Sequence, residues 1–426
     1  PPDLPPALFA ESATDLARIA ADVTNLHYRL DGHATDYQLF ERFVALRRLA
    51  ITGPPLTTPW PADVFAPFTT MPALTVLELP LQPAMTPEHL RSLAKVPQLR
   101  FLTLHLNRLV LADDVEALSA LPDVRSLSLS GGSLDAAAVR ALSLLPALES
   151  LTLARVDGCT EPVLRELRTV HRLRRIRLYG IGETSRASRL GSPSVAGAGL
   201  SVAVAKALGE LPLLDEVSIE QCSVSAEAVA CLPERLKRFA LTRCPDAGAD
   251  VVTALLRFRG LQRLELDRFE RQLWFTAPPG RPAPRVGPPE FDAATAGMPD
   301  QEPIWRAQGK LLRKLPVRQL RYWSSLPAEV TAALPTAASL AEVELVWCGS
   351  AEIEAVSRVQ KLHRLRLESC SVKVADLRPL ATVRSLAQLD LRWVSGAREA
   401  YAALLPGVAV TVQWEGEARS RVRKHA

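Results

Sequence analysis

One six-residue pattern of apolar positions recurs along almost the whole chain. It has the form L-x-x-L-x-L, in which Ile, Val or Phe can replace Leu, and most copies start 22 to 25 residues apart. The copies begin at Leu46, Leu74, Leu99, Val124, Leu148, Leu173, Leu214, Leu236, Leu261, Val317, Leu340, Leu362 and Leu386. Because neighbouring side chains of a strand point to opposite faces, the alternating apolar residues of each copy predict a short strand with one buried face. Weaker copies around residues 23–26 and 408–412 extend the pattern towards both ends.

The segment between two strands often has the pattern of a helix. After Thr86, which can cap a helix, Leu90 and Leu93 lie on one helical face, and Asp135 holds an equivalent capping position. A Leu-Pro pair, as at residues 121–122, then ends the helix. Each unit is therefore predicted to be strand, loop, helix and turn. No such unit can bury its apolar face alone, so neighbouring units must stack.

The repeat resembles that of the leucine-rich-repeat family, and the resemblance covers almost the entire chain. In that family the motif continues L-x-x-L-x-L-x-x-N/C-x-L, and the Asn or Cys side chain bonds exposed backbone at a bend. Five repeats have Asn or Cys at this position, eight after the start of the repeat: Asn107, Cys222, Cys244, Cys348 and Cys370. Other repeats depart from the pattern, with Gly132, Val156 and Ser325 there. The repeat length looks most like the cysteine-containing and ribonuclease-inhibitor-like subclasses. The resemblance implies an α/β solenoid, with a curved parallel sheet on the concave face and mostly helices on the convex face, and a structural ladder of these five side chains.

Two interpretations of the cysteines are open. Neighbouring repeats would bring Cys222 near Cys244 and Cys348 near Cys370, which could form a redox or metal site. The other interpretation is a row of buried, unreactive thiols, and we favour it because the match is to a structural position. We expect no metal and no cofactor.

The spacing of the repeats predicts three regions. Residues 1–22 are expected to cap the first repeat, residues 23–416 to form the solenoid, and the basic residues 417–426 to form a tail. Two long spacings predict inserted loops at about 180–200 and 268–312. The second insertion is rich in Pro and aromatic residues, and a docking role and a passive role are equally open for it. For the tail, a solvated segment is favoured over a nucleic-acid or lipid contact.

Composition changes this picture little. The net charge is +5, from 51 Lys plus Arg and 46 Asp plus Glu with the signs interspersed, which makes nucleic acid or a membrane surface an unlikely main partner. The cysteines contain no C-x-x-C pair, which favours a reducing, cytoplasmic location, although a chain that begins at Pro1 leaves a removed signal peptide open. No apolar run approaches the roughly 20 residues that span a bilayer.

The sequence has no recognisable catalytic motif. The P-loop, the dinucleotide-binding turn, the G-x-S-x-G elbow and the H-E-x-x-H zinc motif are all absent from it. We therefore expect a protein that is not an enzyme.

The outward side chains of the strands form the candidate binding surface. They lie two, four and six residues after the start of each repeat, and from Leu173 onward they are charged and aromatic. The candidate partner-binding residues are Arg175, Arg177, Tyr179, Glu216, Arg263, Arg321, Trp323, Glu342, Glu344, Arg364, Arg366 and Arg392. Arg, Tyr and Trp are enriched at binding hot spots, and mixed charge favours a protein partner over a polyanion. The alternative is a solvated sheet whose ion pairs satisfy one another.

The sequence thus favours a scaffold or sensor that binds a protein through its concave face. Two other functions stay open. One is a regulator of a partner enzyme, such as an inhibitor or a GTPase activator, by analogy with other leucine-rich-repeat proteins. The other is nucleic-acid binding through the basic tail and the concave arginines. The identity of the protein partner is not encoded in these patterns.

Overall fold

The computed structural model describes eleven stretches of the chain. They are residues 7–29, 37–53, 63–79, 85–105, 108–181, 199–244, 247–266, 302–323, 326–370, 372–392 and 398–413. Asn107, most of both predicted insertions and the predicted basic tail lie outside these residues.

Within the described residues, sixteen strands form one parallel sheet in which neighbours in space follow one another along the chain. The strands are β1 (Leu8–Ala10), β2 (Asn25–Arg29), β3 (Arg48–Thr52), β4 (Val76–Leu79), β5 (Phe101–His105), β6 (Leu109–Val110), β7 (Ser126–Ser130), β8 (Ser133–Leu134), β9 (Ser150–Ala154), β10 (Arg175–Tyr179), β11 (Gly199–Leu200), β12 (Glu216–Glu220), β13 (Ser223–Val224), β14 (Arg238–Thr242), β15 (Arg263–Leu266), β16 (Gln319–Tyr322), β17 (Glu342–Val346), β18 (Arg364–Glu368), β19 (Gln388–Arg392) and β20 (Ala409–Gln413). The two-residue strands pair separately, β6 with β8 and β11 with β13.

The register of the large sheet is constant from repeat to repeat. Leu365 of β18, for example, lies opposite Val343 of β17 and Leu389 of β19, and all three hold the same motif position. The two long spacings do not interrupt it, because β10 pairs with β12 and β15 with β16. Residues at one repeat position therefore form continuous rows across the strands.

Short helices connect the strands, and successive helices pack side by side. The α-helices are Ala13–Arg18, Pro87–Leu93, Ala112–Leu118, Ala136–Ala141, Glu161–Arg165, Val202–Gly209, Ala226–Cys231, Ala249–Ala254, Glu302–Lys314, Ala328–Ala333, Ser350–Val356 and Arg398–Leu404. The 3-10 helices are Tyr37–Phe40, Ala66–Thr70, Leu142–Leu144, Glu166–Thr169, Leu255–Arg257, Leu334–Thr336 and Val374–Thr382. Caps define the starts of several helices: the Asp135 side chain accepts a hydrogen bond from the Ala138 backbone N–H at 2.7 Å.

The motif leucines form the apolar layer between the sheet and the helices. Leu362, Leu365 and Leu367 of one repeat are all fully buried, and they belong to one core that runs through the repeats. Burying each such side chain contributes about 1.5–3 kcal/mol, so the core grows with each added unit. The parallel sheet with its connecting helices confirms the predicted α/β solenoid.

The predicted second loop, 268–312, is wrong in its last part. Residues 302–312 belong to the helix Glu302–Lys314, whose Ala307, Leu311 and Leu312 are buried. These residues are spaced four and five apart, which places them on one helical face against the core. At the N-terminal end, β1 pairs in parallel with β2, so residues 8–10 of the predicted cap are the first strand of the sheet.

Candidate functional site

In the eight repeats where the structure describes this position, the residue that follows the strand has a positive φ. Seven residues after the start of a repeat, φ is positive at Arg155, Gln221, Arg243, Trp347 and Ser369, with values from 51° to 59°. Other repeats have Gly53, Gly131 and Gly180 at the same position. Side chains rarely tolerate this conformation, so the stacked repeats must impose it.

In four of the described repeats the next residue is a cysteine, and three of these thiols donate to backbone carbonyls. The Cys222, Cys244 and Cys370 thiols each donate to the carbonyl two residues before them, at 3.2 to 3.3 Å, and to one of the preceding repeat, at 3.6 to 3.9 Å. The Cys348 thiol instead donates to the Cys370 sulfur, with 2.9 Å between the sulfur atoms. Burial raises the pKa of the Cys222 thiol to about 11. The Cys222 thiol therefore stays protonated at neutral pH and acts as a hydrogen-bond donor at the bend.

Five charged side chains form a continuous row on the concave face, the face of the large sheet opposite the helices. Four residues after the start of each repeat, from β15 to β19, the sheet carries Glu265, Arg321, Glu344, Arg366 and Asp390. We call these five residues the ion-pair row. Each one lies directly opposite the next in the strand register, so negative and positive charges alternate without a break.

Ion pairs link all five members of the ion-pair row. Arg321 lies 3.9 Å from Glu265 and 3.2 Å from Glu344, and Arg366 lies 3.6 Å from both Glu344 and Asp390. Their side chains are only 8 to 24% exposed. Partial burial strengthens these pairs relative to surface pairs, and a network fixes side chains better than isolated pairs do.

Asp390 is the most buried member of the row. Arg364 donates to its Oδ2 from Nη2 at 2.6 Å and from Nε at 3.0 Å, and Gln388 donates to its Oδ1 at 3.0 Å. Burial opposes ionisation of this carboxyl. The hydrogen bonds from Arg364 and Gln388, with the charges of Arg364 and Arg366, outweigh burial and hold the pKa of Asp390 below its usual range.

Trp323 closes the other end of the row. Its indole N–H donates to Glu265 Oε1 at 2.5 Å, and the Arg321 guanidinium carbon lies 4.0 Å from the centre of its ring. The cation–π contact and the hydrogen bond hold the aromatic ring in one orientation on the concave face.

Three other predicted binding residues also have intramolecular partners. Glu216 pairs with Arg238 at 3.1 Å, and Arg175 lies 3.9 Å from Glu149. The Tyr179 hydroxyl accepts a hydrogen bond from Arg155 Nη2 at 3.1 Å.

The remaining four, Arg177, Arg263, Glu342 and Arg392, make no ion pair with another residue that the structure describes. Arg177 faces Thr152 on one neighbouring strand and Ser218 on the other, so no charged side chain lies directly opposite it. The structure thus divides the predicted site into a self-paired set and an unpaired set.

Comparison with known proteins finds similar solved structures but no similar sequence. No protein-family model and no curated protein matches the chain. An internalin from Listeria monocytogenes is 14% identical over 92% of this chain and 99% of its own, with a TM-score of 0.35. A Leptospira interrogans leucine-rich-repeat protein is 14% identical over 94% of this chain and 99% of its own, with a TM-score of 0.33. TLR13, in a complex with ssRNA13, is 14% identical over 95% of this chain and 57% of its own, with a TM-score of 0.41.

Because these identities and TM-scores are low, the fold assignment rests on the repeats, their bends and the parallel sheet. The chain is a leucine-rich-repeat solenoid. Among the helices described for this solenoid, none is both long and apolar enough to cross a membrane. The described residues also include no group of three or more His, Cys, Asp or Glu side chains that could hold a metal ion.

Sequence reasoning missed the exposed cations at the start of the solenoid's strands. Arg318 and Lys361 are exposed, and both line a cavity at the edge where β14 to β18 begin. Arg318 lies one residue after the start of a repeat, whereas the outward strand positions lie two, four and six residues after it. A comparison of every repeat position, rather than of the outward strand positions alone, would have revealed it.

Proposed function

We propose that this solenoid is a non-enzymatic scaffold or sensor that binds a protein partner through the concave face of β10 to β19. The observation that carries the proposal is the division of its charged side chains into a self-paired row and unpaired neighbours. The ion-pair row is already ordered, so a partner that covers it loses little side-chain entropy. Arg177, Arg263, Glu342 and Arg392, which make no ion pair with another described residue, are available for new charge pairs with a partner.

Aromatic side chains support the same surface. Trp323 and Tyr179 are held by polar contacts on the concave side, and Trp347 is 55% exposed at the bend beside it. Rigid, partly exposed Trp and Tyr side chains next to arginines are the composition of binding hot spots. A surface with both signs of charge suits a protein of complementary pattern.

The self-paired arginines are poor choices for a first test. Reversing the charge of Arg364 or Arg366 would place a carboxylate beside Asp390, so it would disturb the sheet as well as any partner. The informative variants change residues without such pairs.

We expect the double variant Arg177→Glu, Arg392→Glu to lose its partner while keeping its fold. The tagged chain would be used for affinity capture from its native lysate, with mass spectrometry to identify proteins, and the dissociation constant of the purified partner would then be measured. Reversal of two contacting charges should weaken binding by at least about tenfold. The midpoints of thermal unfolding of the original chain and of the variant should agree within a few degrees.

The matched control is Arg91→Glu, Arg378→Glu, which makes the same charge change at exposed residues of the helical side. It should bind as the original chain does. Equal binding by all three proteins would refute a concave site at these residues. A partner enzyme whose turnover changes on binding would make the solenoid a regulator rather than a scaffold.

A further inference from the structure

The edge of the sheet where the strands begin is lined with cations. One residue after the start of a repeat, exposed basic side chains stand in six repeats: Arg47, Arg100, Arg125, Arg174, Lys237 and Arg318. Among the described repeats only Glu149 and Asp215 place a carboxylate there. The backbone beneath these side chains is fixed, because the carbonyl of each cationic residue accepts hydrogen bonds from the next strand, as Arg318 does from Ala341 and Glu342.

This edge deepens into a cavity over β14 to β18. The cavity has a volume of about 530 Å³, and its charged lining consists of Arg238, Arg263, Arg318 and Lys361 with Glu342 as the one carboxylate. Arg238 pairs with Glu216. Arg263, Arg318 and Lys361 make no ion pair with any other described residue, and together they outnumber Glu342, the one carboxylate of the lining.

The distribution of these cations selects the shape of the ligand. Arg263 and Arg318 belong to neighbouring repeats, and Lys361 lies two repeats further along. Strands lie about 4.8 Å apart, so β15 to β18, where the three cations stand, span about 14 Å. Three cations spread over this length match a ligand with several spaced negative charges better than a single small anion. An extended peptide of about six residues covers this length, with alternate side chains about 6.6 Å apart on the side that faces the protein.

The surroundings favour a peptide over a nucleic acid. Glu342 lines the cavity, and Glu344 lines the adjoining depression, which also contains Arg263 and Arg366. Glu342 among the cations and Glu344 in the adjoining depression would repel a continuous phosphate backbone, whereas a peptide can place carboxylates at the cations and neutral residues elsewhere.

We propose that the cavity at the strand-start edge of β14 to β18 binds an extended acidic segment of the partner protein, with its carboxylates on Arg263, Arg318 and Lys361. The proposal rests on the proposed function and specifies which part of the partner is recognised. The acidic segment reaches the concave face through the adjoining depression, which shares Arg263 and Glu342 with the cavity.

The test measures fluorescence anisotropy of a labelled heptapeptide in which Glu and Ser alternate, added to the full chain. A peptide with Gln in place of each Glu and a labelled single-stranded oligothymidine serve as comparison probes. The acidic peptide should bind, bind less tightly as salt rises, and lose at least about tenfold in affinity in the triple variant Arg263→Glu, Arg318→Glu, Lys361→Glu. The matched control Arg47→Glu, Arg100→Glu, Arg125→Glu has the same charge change on the same edge and should bind normally.

The milder variant Arg263→Gln, Arg318→Gln, Lys361→Gln repeats the measurement if the charge reversal lowers the thermal midpoint. Equal weakening by the cavity and control variants would overturn the proposal in favour of general attraction along the edge. Tighter binding of oligothymidine than of the acidic peptide would overturn it in favour of nucleic acid. If a partner no longer binds the variant Arg177→Glu, Arg392→Glu but still binds the cavity variant, the proposed acidic-peptide site is refuted. The proposed binding of a partner by the concave face would still stand.

Discussion

Replacing Gly132 by alanine is expected to lower the free energy of unfolding by about 3 kcal/mol. Gly132 has φ of +69°, and a Cβ there would overlap the carbonyl oxygen of Arg108 in the preceding repeat. The left-handed backbone costs an alanine about 1 kcal/mol, and displacing the neighbouring backbone adds about 1–3 kcal/mol. The carbonyl cannot move easily, since it accepts a hydrogen bond from Ser133 and the Arg108 side chain is held by two bonds to Asp114.

Gly407→Ala is the matched control for this prediction. Gly407 also has positive φ, +87°, but a Cβ there would meet nothing within 4 Å. Only the cost of placing an alanine in left-handed backbone applies, so we expect the free energy of unfolding to fall by about 1 kcal/mol. Urea unfolding followed by circular dichroism gives both free energies. Equal losses at the two glycines would show that the contact between repeats at Gly132 is unimportant.

A second large loss of stability is expected when Asp390 is replaced. The variant Asp390→Asn keeps the shape of the side chain but removes the negative charge that pairs with both Arg364 and Arg366. Its free energy of unfolding at pH 7 should be lower by about 2 kcal/mol. Asp123→Asn is the control, because Asp123 is exposed and has no ion-pair partner among the described residues; it should change stability by less than about 0.5 kcal/mol.

The effect of Asp390→Asn should depend on pH in one direction. The folded chain holds the pKa of Asp390 below its ordinary value, so the carboxylate contributes its full stability above the unfolded pKa of about 3.9. That contribution is lost as pH falls through the folded pKa. The difference in the free energy of unfolding between the original chain and the variant should therefore be constant near neutral pH and become smaller below about pH 4. A gap that widens in acid would contradict the assigned pairing.

Periodicity alone predicted most of the fold. The motif places Leu362, Leu365 and Leu367 on the buried side whatever the details of the repeat, because a stack of identical units leaves them no other place. The helix Glu302–Lys314 was not predicted, since it follows a Pro-rich segment and lies outside the repeat pattern. The left-handed backbone at Arg155 and Trp347 could not be predicted either, because the residue type does not indicate a conformation that neighbouring repeats impose.

For the candidate site, the sequence indicated which residues face outward but not which of them pair. Glu344 and Arg366 hold the same repeat position, so a constant register makes them neighbours, and that contact could have been predicted. The preference of Arg364 for Asp390 rather than for Glu342, which lies directly opposite it, depends on side-chain rotamers. The proximity of Arg263 to Arg318 depends on β15 and β16 pairing across a long insertion, which spacing alone does not establish.

The alternating signs of the ion-pair row impose an even–odd rule on the length of the solenoid. If the unit of β16 were deleted, Glu265 would lie opposite Glu344, and like charges directly opposite destabilise a sheet. Deleting the units of β16 and β17 together would instead place Glu265 opposite Arg366 and keep opposite charges adjacent. Gene duplication or loss in this half of the chain is therefore tolerated better in pairs of units than in single ones.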